Sequence, residues 1–332
     1  MMPTMRRCVI AVALLLAACG GSDDDGAAPE TTTTSTTQVP GCEAPAPVAE
    51  QHKVTITSGG TERWSHRQVP TGEGPWPVVV DLHGYSEGAD IHAQLSALGP
   101  FGAEEGFVTL TPQGTGDPVR WDTALDSPDV RFLEDLLDDT ARTVCVDPDR
   151  VFVTGLSNGA MMTSTVACVL ADRVAAVAPV AGVRDPEGCD PARPVPLLAI
   201  HGTDDTFVTY DGGLGEGALN LPAPDGSGRT LGEVGAGDVV ERDSVPEIMQ
   251  AWAERYGCEA EPAESRRTED VDRLEHECPD GLEVALLRVN GGGHSWPGSP
   301  FGPNIENVVG KTTQTISTNE EIWAFFQAHP LG

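Results

Sequence analysis

The sequence predicts an α/β protein with a mostly parallel, doubly wound sheet and helices on both of its faces. Three observations lead there. Short, nearly unbroken apolar runs recur along the chain, as strands buried on both faces require. Segments with apolar residues at three- or four-residue spacing lie between them, the pattern of helices that bury one stripe. Strand and helix alternate over most of the chain, which right-handed crossovers accommodate in one sheet.

Residues 52–57 and 63–69 alternate polar with apolar across Ser58-Gly59-Gly60, a hairpin signal. The apolar runs follow at 77–82, 107–111, 150–154, 175–180, 196–200 and 284–289. Helices are expected at 130–143, 161–170, 245–256 and 319–328. In a doubly wound sheet ligands sit beyond the carboxyl ends of the strands, so chemistry is sought just after each run.

Residues 1–18 read as a signal peptide. Arg6 and Arg7 precede an apolar run too short to remain in a bilayer. Leu16-Ala17-Ala18-Cys19-Gly20 resembles the bacterial lipobox, so the mature chain is expected to start at a lipidated Cys19 on the outer face of the cell membrane. Plain secretory cleavage near Ala18 is the alternative. Residues 19–41, rich in Gly, Asp, Pro and Thr, read as a tether, which leaves 42–332 as one folded, catalytic domain.

The leader holds two of the 20 basic residues and none of the 51 acidic ones, leaving 18 against 51, a net charge of about −33. Such a surface repels nucleic acid, and that partner class is excluded. Six cysteines remain: Cys42, Cys145, Cys168, Cys189, Cys258 and Cys278. An even number outside the cytoplasm suggests disulfides, and local pairing joins Cys168 to Cys189 and Cys258 to Cys278, leaving Cys42 for Cys145. No spacing suits a metal, and no cofactor is expected.

Gly155-Leu156-Ser157-Asn158-Gly159 follows the third apolar run, 150–154, and opens a helix of small residues, the context of a nucleophile elbow. A second copy, Gly84-Tyr85-Ser86-Glu87-Gly88, also follows a strand. Chain order separates the two. The nucleophile needs an upstream strand whose following loop donates an oxyanion N–H, and only Ser157 has one, at Leu82-His83-Gly84-Tyr85. The first copy is therefore read as the oxyanion loop, with the N–H groups of Tyr85 and Asn158 as donors. His83 reads as a residue that bonds its own loop.

A general base must follow Ser157, which leaves His201, His276, His294 and His329. His294, in Gly291-Gly292-Gly293-His294-Ser295-Trp296 just past the last apolar run, is the candidate; His276 and His329 read as surface residues. The acid should follow the run at 196–200, where Asp204 and Asp205 both stand, with Asp185 a weaker candidate. Trp121, Trp296 and Tyr85 are candidate pocket residues, with core packing an equal alternative for the two tryptophans. The Gly-rich stretch 211–238 is a candidate flap.

Taken together, His83-Gly84, Gly155-Leu156-Ser157-Asn158-Gly159-Ala160-Met161-Met162, the segment from His201 to Tyr210 and Gly291-Gly292-Gly293-His294-Ser295-Trp296-Pro297-Gly298 resemble the polyhydroxybutyrate depolymerase family of esterases, which borders on the feruloyl esterases. The resemblance implies an α/β-hydrolase fold and a triad of Ser157, His294 and Asp205; the family pattern prefers Asp205 over Asp204. Thr209 stands where the family has proline, and Pro128 where it often has the first of two aspartates. The resemblance implies a carboxylic ester hydrolase acting on hydroxyalkanoate oligomers or similar small esters. A feruloyl or acetylxylan esterase is the near alternative, and a non-catalytic surface lipoprotein on the same fold the distant one.

Overall fold

The computed structural model describes residues 41–42, 50–236 and 243–332. The predicted leader, Cys19 and the tether as far as residue 40 lie outside them. Ten strands among the described residues form one sheet: β1 (His52–Ser58), β2 (Thr61–Gln68), β3 (Trp76–Leu82), β4 (Val108–Pro112), β5 (Val146–Leu156), β6 (Ala176–Val180), β7 (Leu197–Gly202), β8 (Ala263–Arg266), β9 (Val271–His276) and β10 (Val284–Val289). Their order is β1-β2-β4-β3-β5-β6-β7-β10-β9-β8. The six central strands, β4 to β10 in that order, run parallel, and an antiparallel hairpin closes each edge.

Eight α-helices accompany the sheet among the described residues: α1 (Ala89–Ser96), α2 (Leu98–Glu105), α3 (Pro128–Thr143), α4 (Asn158–Val169), α5 (Glu216–Leu219), α6 (Val245–Arg255), α7 (Glu306–Val309) and α8 (Thr318–Ala328). The middle stretches of the central strands are mostly apolar because both faces of the sheet are covered. Successive side chains point to opposite faces, so Val78 and Val80 join one core with Phe132, Met162 and Trp252, while Val79 joins the other with Phe107, Trp323 and Phe326. Losing one of these rings to alanine costs about 3–5 kcal/mol.

Local signals fix the element ends. The β1–β2 turn places Gly59 and Gly60 at φ 56° and 82°, the two left-handed positions of a tight hairpin. Ser127 caps α3, accepting from Val130 N–H at 3.3 Å, with Pro128 in the first turn. Ser244 and Glu247 form a reciprocal capping box on α6.

The predicted strands and helices occur, with ends displaced by a few residues. The hairpin β8–β9 and helices α1 and α2 were not expected. β8 is exposed along its length and carries no apolar run to betray it. His276, expected at the surface, is buried in β9, where its Nδ1 pairs with Glu259 O at 2.8 Å. The disulfides join Cys42 to Cys145, Cys168 to Cys189 and Cys258 to Cys278. Three such bonds fit a chain that folds outside the reducing cytoplasm.

Candidate active site

β5 ends at Leu156 and α4 begins at Asn158, so Ser157 alone makes the turn between them. It does so at φ 58° and ψ −119°, a conformation that costs a non-glycine residue about 1–3 kcal/mol. The surroundings hold it there. Ser157 N–H donates to Val180 O at 2.9 Å, and the backbones on either side are too close for side chains. A Cβ at Gly155 would come within 2.7 Å of Leu82 O, and one at Gly159 within 2.1 Å of the same oxygen.

The second glycine-flanked serine lies in the loop between β3 and α1, directly opposite. A Cβ on Gly84 would stand 3.5 Å from Ser157 Cβ. Gly84 N–H donates to Glu87 Oε2 at 2.6 Å, and Ser86 N–H to Val119 O at 2.8 Å. Tyr85 N–H has no acceptor among the described residues, and Asn158 N–H, in the first turn of α4, has none either. Two free donors therefore flank Ser157.

His294 follows β10 on its glycine loop, held by its N–H donating to Val309 O at 2.6 Å. Its Nδ1 donates to Asp205 Oδ2 at 2.8 Å. Asp205 is buried, and its Oδ1 accepts from Phe207 N–H at 2.8 Å and Val208 N–H at 3.0 Å. Burial alone would raise the Asp205 carboxyl, but the facing His294 imidazole and hydrogen bonds from His201 and His294 outweigh it and hold it below the usual carboxylate range. Asp204 is exposed and takes Thr203 Oγ1 at 3.2 Å instead, and Asp185 pairs with Arg255 at 2.6 Å. Phe207 stacks on the imidazole with centroids 4.8 Å apart and planes 20° from parallel.

Ser157 and His294 line one cavity of about 270 Å³. Its wall is largely apolar, with Leu95, Leu156, Phe207, Leu221 and Trp296 among its residues. Ile91, Phe301 and Val308, at 53%, 37% and 60% exposure, stand around its mouth. The Gly-rich stretch contributes Leu221 to this wall, and Tyr85 OH donates to Pro222 O at 2.9 Å. Residues 237 and 238 of that stretch lie outside the described residues.

Trp121, a candidate pocket residue, does not line this cavity. It is buried beneath the loop that follows β3, its Nε1–H donates to His83 O at 3.0 Å, and its N–H donates to Asn158 Oδ1 at 2.7 Å. Trp296 does line it, with Nε1–H donating to Asn319 Oδ1 at 2.9 Å. His83 serves its own loop: Nδ1 pairs with Gly84 O at 2.7 Å and Nε2 accepts from Gly114 N–H at 2.9 Å. Asp129, whose predecessor departs from the family pattern, is buried and bonds Arg63 at 2.7 Å and Asp122 N–H at 2.8 Å, tying β2 and the Trp121 loop to α3.

Sequence reasoning missed a buried ionic chain beside the loop. His92 Nε2 donates to Asp81 Oδ1 at 2.7 Å and its Nδ1 to Glu87 Oε1 at 3.2 Å, while Ser96 Oγ donates to Asp81 Oδ2 at 2.7 Å. Burial would strip the His92 proton, but the Asp81 and Glu87 carboxylates outweigh it and lift the imidazole to about 10. Burial would raise Glu87; the His92 charge and the bonds from His92 and Gly84 take it below its ordinary value. His83 goes the other way, pushed down to about 4 by burial.

These two histidines set a pH window. On unfolding, both return to about 6.5. Neutral His83 stabilises the fold in full above pH 6.5 and loses that contribution as pH falls through about 4. Charged His92 stabilises it in full below pH 6.5 and loses that contribution as pH rises through about 10. Thermal melts from pH 4 to 10 are expected to peak near 6.5 and to decline on both sides. A melting temperature that climbs steadily into the alkaline range contradicts this.

No known protein-family profile matches the chain. It is 29% identical to feruloyl esterase B of Piromyces equi over 68% of its length, an alignment that spans 40% of that relative's length. It is 30% identical, over 73% of its length and 71% of the relative's, to NocK of Nocardia uniformis subsp. tsuyamanensis, a protein named as an esterase. Poly(3-hydroxyalkanoate) depolymerase C of Paucimonas lemoignei matches 37% of the chain at 30% identity over 32% of the relative's length. Among solved structures, the acetyl xylan esterase of Aspergillus awamori superposes with a TM-score of 0.53 at 17% identity, covering 74% of this chain and 94% of its own, a likeness of fold. With an α/β-hydrolase sheet and a relative matched along most of both lengths, the chain belongs to the polyhydroxybutyrate depolymerase-like family of esterases, related to the feruloyl esterases.

Proposed function

We propose that the protein is a secreted serine esterase, anchored through a lipid on Cys19, that hydrolyses hydroxyalkanoate oligomers and similar small esters. One observation carries the reading: His294, bonded to the buried Asp205, and the elbow residue Ser157 share an apolar cavity, with the unpaired N–H donors of Tyr85 and Asn158 beside Ser157. His294 takes the proton from Ser157 Oγ as that oxygen attacks the ester carbonyl, then passes it to the leaving alcohol. Water, activated by the same imidazole, releases the acid and restores the serine. Asp205 keeps the Nδ1–H tautomer, which leaves Nε2 free to accept. The negative oxygen of each tetrahedral intermediate meets Tyr85 N–H and Asn158 N–H.

Ser157 Oγ makes no hydrogen bond among the described residues, and such contacts often close only around substrate. The cavity supports an apolar acyl group of several heavy atoms over acetyl, which would leave most of its wall without contact. The same apolar slot suits a hydroxycinnamoyl group, and the Piromyces relative favours that second reading.

The test is turnover of 3-hydroxybutyrate trimer, methyl ferulate, acetylated xylan and p-nitrophenyl acetate and butyrate by the full-length chain. The expected order of kcat/KM places the trimer above ferulate and butyrate above acetate. Ferulate first would transfer the assignment to the second reading; no turnover of any ester would end both.

A further inference from the structure

Glu87 stands in the wall of the cavity that holds Ser157, a carboxylate in an otherwise largely apolar lining. Left bare, a negative charge there would oppose the negative oxygen that forms on the substrate. It is not bare. Oε1 accepts from His92 Nδ1 at 3.2 Å, and His92 in turn donates to Asp81 at 2.7 Å, both of these partners fully buried. Oε2 accepts from Gly84 N–H at 2.6 Å, within the short range of charge-assisted bonds.

The consequence falls on one amide. In the loop from Gly84 to Glu87, Gly84 N–H is held by Glu87 Oε2, Ser86 N–H by Val119 O at 2.8 Å, and Glu87 N–H by Gly84 O at 3.3 Å. Tyr85 N–H is left over, pinned between two fixed neighbours. Asp81 lies near the end of β3 and His92 within α1, so the ionic chain staples together the two elements that the loop connects.

We infer that Asp81, His92 and Glu87 form a positioning relay that aims the Tyr85 N–H at the oxyanion, with Glu87 fixing the loop through Gly84 and His92 supplying the compensating charge. The inference rests on the reading of Tyr85 as an oxyanion donor given under Proposed function. Glu87 touches no reacting atom in this scheme. Its effect is confined to the tetrahedral state, because the donor it aims is needed most when charge has developed there.

The experiment compares wild type with Glu87→Ala and Glu87→Gln, measuring kcat and KM on p-nitrophenyl butyrate and the affinity for butylboronic acid, which forms a tetrahedral adduct on a reactive serine. Glu87→Ala is expected to lower kcat by about 100-fold while KM stays nearly constant, and to weaken boronate binding by a similar factor. Glu87→Gln keeps an acceptor for Gly84 N–H and is expected to recover about 10-fold of that loss. If Glu87→Ala fails to fold, Glu87→Asp, which keeps the charge but draws the carboxylate back from Gly84, is expected to show the same loss in kcat at an unchanged melting temperature. Wild-type kcat and boronate affinity in Glu87→Ala or Glu87→Asp overturn the inference, as does a kcat loss in Glu87→Gln equal to that in Glu87→Ala. Ser157→Ala separates the two ideas: turnover surviving in it removes the reading of the site, whereas a dead Ser157→Ala beside an unimpaired Glu87 variant removes the relay alone.

Discussion

Ser157→Ala is expected to lower kcat on p-nitrophenyl butyrate by roughly a millionfold, with the melting temperature unchanged. The size follows from the division of labour. Without the hydroxyl there is no acyl-enzyme, and His294, Asp205 and the two backbone donors have no attacking atom to serve. What remains is binding beside unpaired N–H groups, which leaves only a small residual acceleration over water. The fold should be indifferent. Ser157 Oγ holds no partner among the described residues, the N–H bond to Val180 O belongs to the backbone, and alanine meets the same strained φ as serine. Retention of more than a hundredth of the wild-type rate would contradict the assignment.

Asp205→Asn is expected to cost about 10,000-fold in kcat, and the structure states why. Asp205 Oδ1 accepts two backbone N–H groups, from Phe207 at 2.8 Å and Val208 at 3.0 Å, so an asparagine would keep its oxygen there. Its NH2 group would then face His294 Nδ1 where Oδ2 now accepts at 2.8 Å. A donor opposite a donor forces the imidazole to move its proton to Nε2, and that nitrogen can no longer take one from serine. The exposed neighbour provides the control: Asp204→Asn leaves the tautomer alone and is expected to change kcat little. If both asparagine variants behave alike, the acid has been misassigned.

Much of this was legible in the chain. The central strands were visible because a sheet covered on both faces demands apolar residues at successive positions, as in Val78-Val79-Val80. The strand-to-helix turn at Ser157 was visible because its backbone demands Gly155 and Gly159, and chain order placed Ser86 in the loop opposite it. Other parts were hidden for definite physical reasons. α2 carries Gly99, Pro100 and Gly102, residues that weaken any helical signal, and Gly102 is tolerated because Phe107 packs where its Cβ would be, 2.5 Å away. β8 is all exposed and is held by pairing with β9 rather than by burial.

The ionic chain of Asp81, His92 and Glu87 was hidden because no local pattern links a strand end, a loop and a helix; only the fold brings them within bonding distance. Trp121 misled for the opposite reason. An aromatic side chain near the motifs suggests a pocket, yet an indole buried beside a loop finds a backbone carbonyl first, here that of His83.

The most direct measurement is the site of covalent labelling. Reaction of the full-length protein with a fluorophosphonate, followed by peptide mapping by mass spectrometry, should place one equivalent on Ser157 and should be abolished in His294→Ala. A label on Ser86, or on Ser157 at an undiminished rate when His294 is gone, would contradict the account.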